Sequence, residues 1–176
     1  MIDIVGKRVR LRSLTLPDVE PLVAAREADG TSFGPPGQEA RARLREQIAR
    51  GSTLEDDEYL GLAVEADGRF VGDVQARMPP RAWPPGVCEI GITLFPGARG
   101  HGYGREAVTL FTEYLFGAGL ERVQASTPVG NTAMRRVLEL VGYGFEGVLR
   151  SYGPTPDGAR EDYAMYATIR ADWPPR

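Results

Sequence analysis

One cysteine, one histidine and one lysine occur in 176 residues. The lone cysteine, Cys88, rules out an internal disulfide and suits a reducing compartment, so a cytoplasmic location is expected. The lone lysine, Lys7, sits far from any glycine-rich loop. That excludes the G-x-x-x-x-G-K-[ST] nucleotide loop, whose lysine must reach the phosphates. The lone histidine, His101, is not near Cys88 in sequence, so a thiol–imidazole nucleophile is not indicated, and a buried thiol is the default for Cys88. No stretch approaches the roughly 18 unbroken apolar residues of a membrane span, and the N-terminus carries no signal-peptide pattern. Long basic runs are missing and the net charge is −3, which argues against a nucleic-acid groove. A hydrophobic content of 42% with 26% charged residues is that of a globular chain with one well-buried core, and a single domain over 1–176 is expected.

The most informative stretch is Arg99-Gly100-His101-Gly102-Tyr103-Gly104. An apolar strand precedes it, and Ala107, Leu110, Phe111, Tyr114 and Leu115 follow on one helical stripe. Strand, glycine loop and helix together make a phosphate cradle: glycines let main-chain N–H groups turn inward, and the helix N-terminus adds unsatisfied donors with about half a positive charge. Residues 102–107 also satisfy a loose G-x-G-x-x-A dinucleotide fingerprint. A Rossmann unit, however, wants a carboxylate roughly 20 residues on, after the next strand. Glu121 lies before that strand, so the context fails.

Alternating residues at 9–14, 59–65, 69–78, 88–95, 123–127, 145–152 and 162–169 predict seven strands. Helices are expected at about 18–28, 38–50, from the glycine loop to about 118, and from Asn131, which should cap the last one. Ala66-Asp67-Gly68 signals a hairpin. The proline-rich residues 79–86 should form an exposed loop.

Arg99, Gly102 and Gly104 fit R-x-x-G-x-G, which resembles the coenzyme A pyrophosphate loop of the GNAT superfamily of N-acetyltransferases. Other segments fall in matching order: 9–15 with Asp18, 88–92, 131–139 and 142–147 resemble successive parts of the RimJ/RimL-like branch, over nearly the whole chain. The resemblance implies an α/β fold: a mixed seven-stranded sheet with a splayed central parallel pair, 88–95 and 123–127, flanked by about four helices. It implies an acetyl-CoA-dependent N-acetyltransferase working by direct attack, without a metal, on a primary amine, either a protein N-terminus or a small molecule. This branch often forms homodimers. Backbone groups of Ile92, Thr93 and Leu94 would hold the pantetheine arm. The amides of Gly100, His101, Gly102, Tyr103, Gly104 and Arg105 would hold the pyrophosphate. Arg99, Arg105, Arg135 and Arg136 would supply local cations, and Asn131 would reach the arm while capping its helix. The acceptor groove would be built by the first two helices and by loops 79–85 and 152–160.

Acetyl transfer needs a neutral amine, and a free α-amine with pKa near 8 is only about 10% neutral at pH 7. A carboxylate, directly or through water, would take its proton. Glu89 is the candidate, on the strand face shared with Gly91 and Thr93 and opposite Cys88, Ile90 and Ile92; an ion pair with an arginine is its plain structural role. Where many family members carry a thiolate-protonating tyrosine, seven residues after the asparagine, this chain has Leu138. The branch's serine, three after the asparagine, is Met134. That gap leaves a non-catalytic acyl-CoA-binding module as the alternative. His101, though inside the loop, is expected to face solvent.

Overall fold

Period-two alternation builds a single mixed sheet in the computed structural model, which describes residues 1–29, 37–51, 59–78, 84–155 and 157–173. Its strands are β1 Asp3–Val5, β2 Val9–Ser13, β3 Tyr59–Ala66, β4 Arg69–Arg77, β5 Val87–Leu94, β6 Arg122–Pro128, β7 Gly144–Pro154 and β8 Arg160–Ile169. They lie in the order β1-β2-β3-β4-β5-β6-β8-β7. Four α-helices are described: α1 Val19–Asp29, α2 Gly37–Arg50, α3 Tyr103–Gly117 and α4 Thr132–Val141. The sheet therefore has eight strands where seven are expected. The additional β1 pairs with β2 over three residues, Asp3↔Arg12 to Val5↔Arg10. Three residues are too few to display a period, and β1 is held by pairing and by an Asp3–Arg10 ion pair at 2.7 Å. The loop expected at 79–86 falls largely outside the described residues.

Each face of the sheet carries its own apolar layer. Leu11, Leu62, Val64, Val74, Cys88, Ile90, Val123 and Ala125 pack beneath Ala107, Leu110, Phe111 and Leu115 of α3 and Leu138 of α4. On the other face, Val19, Leu22 and Val23 of α1 meet Leu44 of α2, with Phe70 and Phe95 against them. Ala66 and Arg69 pair across the β3–β4 hairpin. Its two turn residues, Asp67 and Gly68, have φ of 51° and 72°, the left-handed pair that suits a right-twisted two-residue turn. Among the described residues no helix is long and apolar enough to cross a membrane.

One junction shapes the site. β5 and β6 run parallel but pair only at Val87↔Arg122, Cys88↔Val123 and Glu89↔Gln124. Beyond that point β5 stays with β4 as far as Gly72↔Leu94, while β6 follows β8 to Pro128↔Tyr163. Each strand is committed to its outer neighbour, so the pair opens into a V.

Candidate active site

The open arm of the V leads into the glycine loop. After Leu94 the chain makes a short 3-10 turn, Pro96–Ala98, and reaches Arg99, whose Nε donates to the Leu94 carbonyl at 2.8 Å. Phe95 donates its N–H to Val71 on the β4 side at 2.9 Å. By strand alternation, the main-chain groups of Ile92 and Leu94 then face the gap. Thr93 is turned the other way: a Cβ built on Gly72 would meet the Thr93 carbonyl oxygen at 2.0 Å. Of the three strand residues expected to hold an extended arm, Ile92 and Leu94 offer main-chain groups to the opening.

Gly100 and Gly102 have φ of 78° and 83°, a backbone conformation that side chains resist. A Cβ at either position would meet nothing within 4 Å, so conformation rather than crowding demands glycine there. Gly102 is the N-cap of α3 and provides no side-chain acceptor for the first-turn amides. Gly104 is buried, with its Cβ position 3.4 Å from Leu94 Cδ1 and 3.9 Å from Ile92 Cδ1. This closeness sets the helix mouth against the end of β5. The outcome is a shallow nest of main-chain donors with the exposed Arg99 and Arg105 beside it.

The side chains of the loop point elsewhere. Tyr103 is buried, and its hydroxyl donates to Asp67 Oδ2 at 2.6 Å. The exposed His101 stacks on that ring at 5.6 Å. Arg8, from the β1–β2 turn, lies over the same ring at 4.7 Å and donates from Nη1 to the His101 carbonyl at 3.0 Å. Neither Arg8 nor Asp67 is suggested by the local sequence, since they lie 93 and 36 positions from the loop residues they touch.

Glu89 sits where β5 and β6 part. Only 6% exposed, its Oε1 accepts from Ser126 Oγ of β6 at 2.9 Å and from Arg77 Nη2 of β4 at 3.2 Å. It thus joins three strands at the fork, and the expected arginine partner is present. Gly91 lies on the same face, beside Gln75 of β4. Farther along, the fully buried Asp73 receives Arg26 Nη2 of α1 at 2.5 Å. Burial pushes the Asp73 carboxyl up and the Arg26 guanidinium pulls it back.

Asn131 caps α4: its side chain accepts from Met134 N–H at 3.1 Å. Arg135 donates to the Tyr166 hydroxyl and the Val129 carbonyl, fastening the β6–α4 loop. Arg136 is exposed and paired loosely with Glu139 at 3.8 Å within the helix. Leu138 is fully buried, as its spacing implies. Tyr143 shares a 2.7 Å hydrogen bond with Thr112, and burial raises its phenol well above the ordinary range. The Cys88 thiol is pushed up to about 12 by burial and by Glu89, which removes it as a nucleophile near neutral pH.

A splayed parallel pair thus leads into a glycine loop at the mouth of a helix. Residues 8–144 match the family model of the acetyltransferase (GNAT) domain, and the chain belongs to the GNAT acetyltransferase family. The probable N-acetyltransferase YjcK of Bacillus subtilis (strain 168) is 31% identical over 135 residues, covering 75% of this chain and 72% of that protein. The structure of Mycobacterium smegmatis RimJ in complex with CoA-disulfide has a TM-score of 0.79 at 23% identity, covering 99% of this chain and 90% of that one. The ribosomal-protein-S5-alanine acetyltransferase of Vibrio fischeri also has a TM-score of 0.79, at 20% identity, over 99% of this chain and 100% of its own. These two likenesses establish the fold.

Proposed function

We propose that the chain is a cytoplasmic, single-domain N-acetyltransferase that uses acetyl-CoA to acetylate a primary amine, on a protein N-terminus or a small molecule. The observation that carries this reading is the left-handed Gly100 and Gly102 backbone, open where side chains would stand, ahead of a helix with no side-chain cap. Such a nest fits a diphosphate, because N–H dipoles and the helix terminus favour negative charge. The amides from Gly100 to Arg105 would bind it, with Arg99, Arg105 and Arg136 as surrounding cations. Ile92 and Leu94 would offer main-chain partners to the pantetheine arm, and Asn131 would meet it from the far side of the V. When bound, the cofactor supplies an acyl group activated as a thioester.

Glu89 is the base in this reading. Its carboxylate, held by Ser126 and Arg77, is rigidly placed at the fork to accept a proton from the incoming ammonium, directly or through water. Main-chain N–H groups along the open edge of β5 would stabilise charge developing on the carbonyl oxygen. No dedicated side-chain acid is assigned. Leu138 occupies the family's tyrosine position, Tyr143 is bound to Thr112, and an ordinary thiol pKa of about 8.5 allows departure as thiolate.

Calorimetric titration with CoA, followed by thiol release from acetyl-CoA over a panel of amines, tests the reading. Saturable CoA binding with amine-dependent thiol release is expected. Tight binding with no release over the panel supports an acyl-CoA-binding module instead, and absence of CoA binding overturns both.

A further inference from the structure

The glycines that shape the nest leave it without intrinsic rigidity, because Gly100 and Gly102 lose more conformational freedom on ordering than other residues. What holds the loop must come from outside it. Arg8 does so in a specific way. Its guanidinium donates from Nη1 to the His101 carbonyl at 3.0 Å while lying over the Tyr103 ring at 4.7 Å. Arg8 is itself fixed, since its own N–H donates to Glu106 Oε1 of α3 at 2.9 Å and Val9 N–H reaches the same atom at 3.3 Å. The Tyr103 hydroxyl on Asp67 secures the other side of the ring system.

The consequence lies in one peptide plane. The His101 carbonyl and the Gly102 N–H belong to the same trans peptide and point in opposite directions. Drawing the carbonyl toward Arg8 turns the Gly102 N–H away from Arg8, as a donor. Without that hold, rotation of the plane about the flanking ψ of His101 and φ of Gly102 presents a carbonyl oxygen where a donor is needed, and glycine at 102 makes that rotation cheap.

We propose that Arg8 is a positioning residue for the cofactor: it locks the His101–Gly102 peptide so that the Gly102 N–H faces the diphosphate. This rests on the coenzyme A reading of the nest. Arg8 acts through the loop rather than on the acyl group, so its removal affects cofactor affinity and leaves the chemical step alone.

The test compares wild type, Arg8→Ala and Arg8→Lys by calorimetric titration with CoA, by kinetics with acetyl-CoA and with acetylpantetheine, which lacks the diphosphate, and by the Gly102 amide resonance in ligand-free, ¹⁵N-labelled protein. Arg8→Ala should weaken CoA binding and raise KM for acetyl-CoA about tenfold, the worth of a hydrogen bond from a charged donor. Its kcat should stay within about twofold, its KM for acetylpantetheine should not change, and its Gly102 resonance should move. Arg8→Lys, which keeps a cationic donor, should recover most of the affinity. If wild type binds no CoA, the cofactor reading falls and this inference with it. If wild type binds and Arg8→Ala binds equally well, the inference alone falls. It falls also if affinity drops while the Gly102 resonance stays in place, which marks a direct charge contact, or if KM for both thioesters rises together, which marks general damage.

Discussion

Glu89 and Cys88 are neighbours on one strand with opposite fates, and alternation is the reason. Cys88 faces the α3 layer and is fully buried; Glu89 faces the polar side and meets Ser126 and Arg77. Glu89→Gln keeps the shape and the Ser126 contact but cannot accept the proton. Its rate, followed from pH 6 to 9, should fall about 100-fold; an unchanged rate profile ends the assignment. Cys88 yields a stability prediction. Burial raises its folded-state pKa from 9.0 to about 12, so the unfolded chain loses its thiol proton first. The stabilisation is fully present below pH 9 and is lost as pH climbs toward 12, at up to about 1.4 kcal/mol per pH unit. Chemical denaturation of Cys88→Ala above pH 9 should therefore show a shallower decline than wild type; equal slopes contradict the burial effect.

At the scale of elements, two short features carry the geometry of the V. Gly72 has φ of 153°, and a Cβ there would stand 2.0 Å from the Thr93 carbonyl oxygen. Gly72→Ala must push β4 off β5 at the open end, and thermal unfolding should register a loss of at least about 2 kcal/mol. An unaltered Tm contradicts the close approach. Asn131 holds the start of α4 through Met134 N–H. Asn131→Ala should cost about 1 kcal/mol, or about 2–4 °C in Tm. Asn131→Asp keeps the cap, so stability should hold; a raised KM for acetyl-CoA in that variant separates contact with the cofactor from capping. Much of this architecture was legible from local pattern: the α3 stripe, the Asp67-Gly68 turn, the Asn131 cap and the buried Leu138 each follow from spacing a few residues long. β1 escaped because three residues show no period. Arg8, Asp67, Ser126 and Arg77 escaped as partners because the contacts that define them join distant parts of the chain, and nothing within a helical or strand period marks a surface arginine as the brace of a loop 93 positions away.

For the whole molecule, the fold separates two tasks across one sheet. The face under α3 and α4 is apolar and supports the strands and the helix mouth. The opposite face carries Glu89, Gln75 and Asp73, with Arg26 of α1 against Asp73, a polar layer that is largely buried. In the proposed reaction the carrier enters the V from the α3 side and the acceptor arrives from the α1 side, so that the two meet at the fork. Residues 79–83, part of the loop expected to border that acceptor, lie outside the described residues, whereas the loop proposed to grip the carrier is described throughout. The most direct measurement is therefore a crystal structure of the protein soaked with coenzyme A. The diphosphate should lie within hydrogen-bond distance of main-chain nitrogens between Gly100 and Arg105, with the pantetheine arm entering the gap beside Ile92 and Leu94. A nucleotide bound elsewhere, or nest amides directed away from it, would contradict the proposed site.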